Sequence, residues 1–362
     1  MDKVVKFINV HVKMSNCTLR CHYCYVTIHQ TFGQPIPQLQ YSPGFIRHAL
    51  SKKRLGGCCH LNFCADGETL LFPNLIDIIR ELLEEGHYIS IVTNATLTNK
   101  IEQLTALPEH LKRNLFVKAS YHFLELSQRN LLDTFFDNVE NLHKSGISIT
   151  VEITPNDELI PFADEAVKVC HERTGAKPHF TLARDEHSKE LPLLTKLSRE
   201  EYRKTWGRFD STLFTFKESI FGVPIKRFCY AGEWFLCLDL LSGNLSKCYG
   251  TPTIQNIYTD TEIPLKLEAI GKDCPRAHCF NGHSLIPMGV VPGIKSPTYA
   301  EERDRITDNG THWLYPDIAA AFSQRFYQNN TPYPYCRRIS MNIRHYGKLL
   351  KRRIQYFRRS IS

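Results

Sequence analysis

A chain of 362 residues, 42% hydrophobic and 23% charged, has the make-up of a globular protein with one large domain, or one large and one small. No apolar run reaches the roughly 20 residues of a membrane-spanning helix, and the opening MDKVVKFINVHVKM lacks the features of a secretory signal, so a cytoplasmic protein is expected. The net charge of +8 belongs to the tail: Arg337 to Ser362 hold nine Lys and Arg and no acid, leaving 36 basic and 37 acidic residues before them. A nucleic-acid reading of the whole protein thereby loses its support.

Up to about residue 185, strand-like and helix-like segments alternate. Short β-rich runs occur at 4–12, 60–65, 88–93, 115–121, 148–154 and 179–184. In PNLIDIIRELLEEG, Leu75, Ile78, Ile79, Leu82 and Leu83 share one helical face between Pro73 and Gly86. RNLLDTFFDNVENLHKSG repeats the pattern up to Gly146, and NDELIPFADEAVKVCHERTG does so apart from its internal Pro161. Six β-α alternations predict an α/β fold, a parallel sheet covered by helices and closing into a partial barrel. Ligands of such folds gather at the C-terminal ends of the strands. Beyond residue 195 the pattern changes: residues 228–283 hold five cysteines among turn residues, as in a small module tied by something other than a hydrophobic core.

Thirteen cysteines, an odd number without an export signal, point to metal or catalysis rather than disulfides. Cys17, Cys21 and Cys24 form CxxxCxxC directly after the first strand. Three thiolates at this spacing suit three irons of a cubane cluster and leave the fourth iron without a protein ligand. Tetrahedral zinc is the rival, with His22 as an awkward fourth ligand. Cys58, Cys59, Cys64 and Cys170 fall in core elements, where a buried thiol is the default.

CxxxCxxC with an aromatic before its last cysteine resembles the signature of the radical S-adenosylmethionine (SAM) superfamily. The resemblance implies a partial (β/α)6 TIM-like barrel, a SAM-binding [4Fe–4S] cluster on Cys17, Cys21 and Cys24, and reductive cleavage of SAM to a 5′-deoxyadenosyl radical. Tyr23 matches the aromatic that packs near the adenine. Cys64-Ala65-Asp66-Gly67-Glu68 resembles the GGE motif that binds the SAM ammonium, with Asp66 where the first glycine is usual. Thr93-Asn94-Ala95 is similar to the TNG segment, Ser120 matches a SAM-contacting serine, and Glu152 is a candidate ribose contact. His122, ending the fourth strand, is the candidate acid or base. The resemblance also implies an external electron donor such as flavodoxin or ferredoxin.

Cys229, Gly243 and Cys248 form C-x13-G-x4-C, followed by Cys274 and Cys279. This is similar to the SPASM and twitch extensions of radical SAM enzymes, in which a β-hairpin brings two cysteines onto an auxiliary iron–sulfur cluster. Ser242-Gly243-Asn244 is the expected hairpin turn. A single auxiliary cluster on Cys229, Cys248, Cys274 and Cys279 is implied, with structural zinc as the rival and Cys237, His278 and His283 as alternates. The expected organisation is a radical SAM core over 1–195, a twitch- or SPASM-like module over 196–285, and a C-terminal segment over 286–362. That segment ends in a basic amphipathic helix with Ile343, Tyr346, Leu350, Ile354 and Phe357 on one side. A solvated surface helix, peripheral contact with an anionic membrane, and an acidic partner are its three readings.

Peptide-modifying relatives often carry a leader-binding domain before the first cluster, and the triad begins here at residue 17. The expectation is therefore hydrogen abstraction from a small polar or carbohydrate-type metabolite, with the auxiliary cluster accepting an electron. Peptide or protein modification is the alternative, and a non-catalytic iron–sulfur or zinc protein the second.

Overall fold

Residues 2–185, 187–188, 190–276 and 278–347 are described by a computed structural model. Nine strands form one sheet: β1 (Val4–Val12), β2 (Cys58–Ala65), β3 (Tyr88–Thr93), β4 (Leu115–Ser120), β5 (Ser148–Ile153), β6 (His179–Phe180), β7 (Phe235–Asp239), β8 (Asn244–Ser246) and β9 (Thr253–Asn256). Their order is β6-β5-β4-β3-β2-β1-β7-β8-β9. The first seven run parallel, each of β1 to β5 beside its successor and β7 on the free edge of β1. The sheet is open, the partial barrel expected of six β-α alternations, with a seventh parallel strand from the cysteine-rich half. Residue 195 therefore does not divide the sheet.

Strand residues alternate between two faces. Ile8, Val10, Leu61, Phe63, Ile91, Val117 and Val151 are buried on the outer face with the helices. The helix Leu75–Glu84 contributes Leu75, Ile78, Ile79, Leu82 and Leu83 to that layer, as its periodicity requires. At Pro161 the third helical pattern splits into a 3₁₀ turn (Asp157–Phe162) and a helix (Ala163–Thr174), because proline has no N–H for the α-helical ladder.

The inner face is mixed. At its N-terminal end Phe7, Phe116 and Phe235 pack against Tyr299, Leu314, Ile318 and Phe322 of the C-terminal segment, with the Phe116 and Phe322 rings edge-to-face at 5.1 Å. Further along, the side chains of this face turn polar: Asn9, Asn62, Lys118, Thr150 and Glu152, as the two-residue period places them.

Two expectations change. The sixth strand shortens to His179–Phe180, and Leu182–Arg184 leave the ladder to wall a cavity. Residues 228–283 do share in a hydrophobic core: Tyr230, Ala231, Trp234, Phe235, Ala269 and Ile270 are buried together, and Tyr230 stacks on Trp234 at 3.7 Å. Local spacing of turn residues hid this cluster, because its partners, such as Tyr333, come from a distant part of the chain. The described part of the tail is helical over 335–347. Met341 packs on the core that holds Tyr230 and Trp234 and His345 pairs with Asp273 at 3.2 Å, while Ile343 and Tyr346 stay exposed. The expected apolar positions Leu350, Ile354 and Phe357 lie outside the described residues.

Candidate active site

The loop that follows β1 is laid against the loop that follows β2. Gly67 N–H donates to Met14 O and Glu68 N–H to Asn16 O, each at 2.8 Å. A Cβ on residue 67 would lie 2.0 Å from Asn16 O, so only glycine permits this approach. Asp66 is accommodated sideways. Its carboxylate lies 2.9 Å from His11 Nε2 and accepts from the Tyr25 hydroxyl at 3.1 Å. The departure from a double glycine thus leaves the backbone path intact.

Glu68 is buried and holds three elements together. Its carboxylate accepts from Leu70 N–H at 2.9 Å, Thr93 Oγ1 at 2.7 Å and Asn94 N–H at 2.8 Å. Burial raises its pKa, against the pull of these donors. Asn94 in turn donates from Nδ2 to Thr18 Oγ1 at 2.9 Å and approaches Cys17 Sγ at 3.7 Å. Ala95 follows with φ +53°, the left-handed conformation that glycine takes at no steric cost, held by Asn138 Nδ2 at 2.9 Å from its carbonyl.

A cavity of about 280 Å³ opens at the C-terminal ends of β1 to β6. Cys17, Cys21 and Cys24 line it together with Tyr23, Asp66, Gly67, Glu68, Asn94, Ser120 and His122. Glu152 does not line it: it is the cross-strand neighbour of Ser120 and pairs with Arg303 at 2.9 Å. The Tyr23 hydroxyl lies 2.6 Å from His122 Nδ1. Burial drives the His122 pKa down to about 4 and the Tyr23 phenol up. Near neutral pH the imidazole is therefore uncharged. His22 turns outward to Glu158 at 3.1 Å.

None of the three cysteines of this loop is in a disulfide, and burial raises the pKa of Cys17 and Cys21. Such thiols ionise readily only when a metal replaces the proton. Leu19 N–H points at Cys17 Sγ at 3.5 Å, a donor suited to a bound thiolate. Among the described residues no three His, Cys, Asp or Glu are gathered to hold one metal ion. A cubane takes one thiolate per iron and so asks for a wider spread than a single tetrahedral ion. The donor set fits the cluster.

The second cysteine set converges as well. Cys279 feels the charges of Cys229, Cys248 and Cys274. Cys229, Cys274 and Cys279 border a cavity of about 360 Å³ with His278. Gly243 closes the β7–β8 hairpin at φ +73°, donating to Asp239 O at 2.9 Å. Of the alternates, Cys237 lies on β7 near Cys248 and Cys64, and His283 is among Lys217, Arg303 and Lys118 of the sheet interior.

Sequence reasoning missed several residues. Glu125 accepts from Arg20 N–H at 2.7 Å and so ties the cysteine loop to the helix Phe123–Gln128. Its only local sign is the i,i+4 pairing with Arg129. Tyr25 and Arg184 border both the first cavity and a neighbouring one of about 640 Å³ that reaches Cys64, Cys237 and Tyr249. Arg184 closes a strand-like run, which was a usable signal.

The profile of the Radical SAM superfamily matches residues 12–155. No curated protein matches the chain in sequence. Among solved structures, Streptococcus suis SuiB bound to S-adenosylmethionine is similar at TM-score 0.50 and 14% identity, over 72% of this chain and 65% of SuiB. SuiB in a second structure gives 0.50 and 13%, over 77% and 67%. Native anSMEcpe with bound AdoMet and Cp18Cys peptide gives 0.48 and 15%, over 70% and 78%. The chain thus spans about two thirds of SuiB's length, and at such identities the likeness to SuiB is one of fold. The matched segment contains the cysteine triad, the Asp66-Gly67-Glu68 turn, Asn94 and Ser120, so the part of the chain that carries the site is similar to the radical SAM superfamily.

Proposed function

We propose that the protein cleaves SAM reductively at the 280 Å³ cavity and abstracts hydrogen from a small polar or carbohydrate-type substrate. The observation that carries the reading is convergence: residues from the ends of four successive strands, β1 to β4, picked out separately in the sequence, border one cavity. Cys17, Cys21 and Cys24 would hold a [4Fe–4S] cluster. When bound, it supplies the electron that breaks the S–C5′ bond of SAM. The chain's own part is positional. The Gly67 and Glu68 backbone offers a close-packed wall, Asn94 orients the Cys17 loop, and the Tyr23–His122 pair forms one side of the pocket. Ser120 presents its hydroxyl toward the same space.

The polar inner face favours a small polar substrate over an apolar one. Asn62 Oδ1 and Thr150 Oγ1 are buried there without a hydrogen-bond partner, a cost of about 1–3 kcal/mol each that a polar ligand or water removes. Cys229, Cys248, Cys274 and Cys279 would hold an auxiliary cluster serving as electron acceptor, since four protein ligands leave no iron open. An external one-electron donor, flavodoxin or ferredoxin, is required.

Anaerobic reconstitution with iron and sulfide, followed by metal counting and a 5′-deoxyadenosine assay, tests this. About eight irons per chain are expected, with 5′-deoxyadenosine formed and its formation lost in Cys24→Ala. Four irons with one zinc would make the second site structural. A folded protein without SAM cleavage would overturn the reading.

A further inference from the structure

The sheet interior below the SAM cavity is charged beyond what holding SAM requires. Ser120 borders that cavity, and Lys118 lies two residues deeper on the same face of β4. Across the ladder Lys118 pairs with Thr150 and Ser120 with Glu152. The segment after Tyr299 brings in Glu302 and Arg303, both fully buried. The helix Thr212–Ile220 brings in Lys217, whose Nζ donates to Thr181 Oγ1 at 2.7 Å. Lys217 feels Arg303, Lys118 and the carboxylate of Glu152 together, so these three cations share one space.

Their counter-charge is short. Glu152 accepts from Arg303 Nη1 at 2.9 Å. Burial pushes the Glu302 pKa well up from the usual carboxylate range, against the pull of Arg303 and Lys217, and neither carboxyl oxygen has a hydrogen-bond partner. Arg303 keeps Nε and Nη2 unpartnered although wholly buried. A guanidinium left so is costly unless something supplies acceptors. Burial first, and then the neighbouring cations, push the Lys217 amine well down from its usual pKa, so a nearby anion would favour its charged form. Lys118 is half-buried and lies two residues from Ser120, which borders the cavity, so the cluster adjoins the cavity on that side.

We infer that this interior receives an anionic group of the substrate, a phosphate or a carboxylate, on Lys118, Lys217 and Arg303. The inference rests on the reading of the adjoining cavity as the SAM site and narrows the substrate to a negatively charged polar molecule. Arg303 presents planar donors suited to either oxyanion, and the two lysines add point charges. Held there, the rest of the substrate extends past Ser120 toward the cysteine loop.

The test measures anion binding apart from SAM chemistry. Reconstituted holoenzyme without SAM is titrated with inorganic phosphate, with formate, and with a neutral hexose, following thermal stability. Phosphate or formate should raise the melting temperature and the hexose should not. Stabilisation by phosphate alone identifies a phosphate site, and by formate alone a carboxylate site. In Lys217→Met the apparent affinity should fall roughly tenfold or more, as expected when a buried charge partner is removed. Lys118→Met, at a half-buried position, gives the same readout should Lys217→Met fail to fold. No effect of either anion on the wild type, or equal effects in the variants, overturns the inference. Failure of the separate SAM-cleavage assay overturns the adjoining site instead and leaves the anion result standing.

Discussion

A methyl group on Gly67 would lie 2.0 Å from Asn16 O and 2.6 Å from its carbonyl carbon. Both contacts are backbone, so the cysteine loop itself must move. Gly67→Ala is expected to cost about 1–3 kcal/mol, the usual range for overpacking. It should also weaken SAM binding, while Asp66→Gly should leave binding close to wild type because the Asp66 carboxylate turns to His11 and Tyr25. Equilibrium dialysis of SAM against both variants checks the pair, and the opposite ranking would contradict this account. Glu68 makes a second case at the same scale. Its oxygens accept from two backbone N–H groups and the Thr93 hydroxyl. In Glu68→Gln one of these donors meets an NH2 group, and a loss of about 1–3 kcal/mol in urea unfolding is expected.

Among the elements, the β7–β8 hairpin does most to join the two halves of the molecule. β7 pairs with β1 on one side and β8 on the other. Gly243 has φ +73° and a Cβ there would lie 2.3 Å from Tyr258, so Gly243→Ala strains the turn twice over. If the four later cysteines hold an auxiliary cluster as proposed, iron content should fall from about eight to about four per chain in this variant, with the first cluster's absorbance and SAM cleavage retained. Loss of both clusters would show that the hairpin supports the whole barrel. The helix Phe123–Gln128 acts similarly on the first cluster through Glu125 and Arg20. Glu125→Ala should shorten the lifetime of that cluster in air without lowering the melting temperature much, since Glu125 lies at the edge of the core.

Over the whole molecule, buried neutral histidines set the acid limit of stability. His60 packs between Phe7 and Phe322 on the inner face, and His87 bridges Leu50 O and Cys59 N–H. Burial lowers the His60 pKa to about 3 and the His87 pKa to about 4, from 6.5. The unfolded chain takes up protons below about pH 6.5, while the native chain refuses them until those lower values. Stability present above pH 6.5 is therefore lost as pH falls, with both groups acting down to about 4 and His60 alone from there to about 3. Each contributes a slope of roughly 1.4 kcal/mol per pH unit in its window. Thermal unfolding across this range should be less steep in His87→Gln than in the wild type; equal slopes would remove His87 from the account.

What the sequence determined by itself was local. Cysteine spacing after the first strand, the alternation of two-residue and helical periods, and the segments Asp66-Gly67-Glu68 and Thr93-Asn94-Ala95 are each written within a few residues, so the barrel and its cavity were legible. The hairpin at Gly243 was legible for the same reason. Only the tertiary structure decided what meets across hundreds of residues: β7 on the edge of β1, Tyr23 on His122, Glu125 on the cysteine loop, and Arg303 on Glu152. Glu152 shows the difference most directly. Its place at a strand end marked it as a cavity residue, but a strand fixes only the face a side chain takes. The partner on that face came from Arg303, 151 residues away, and no local period encodes such a contact.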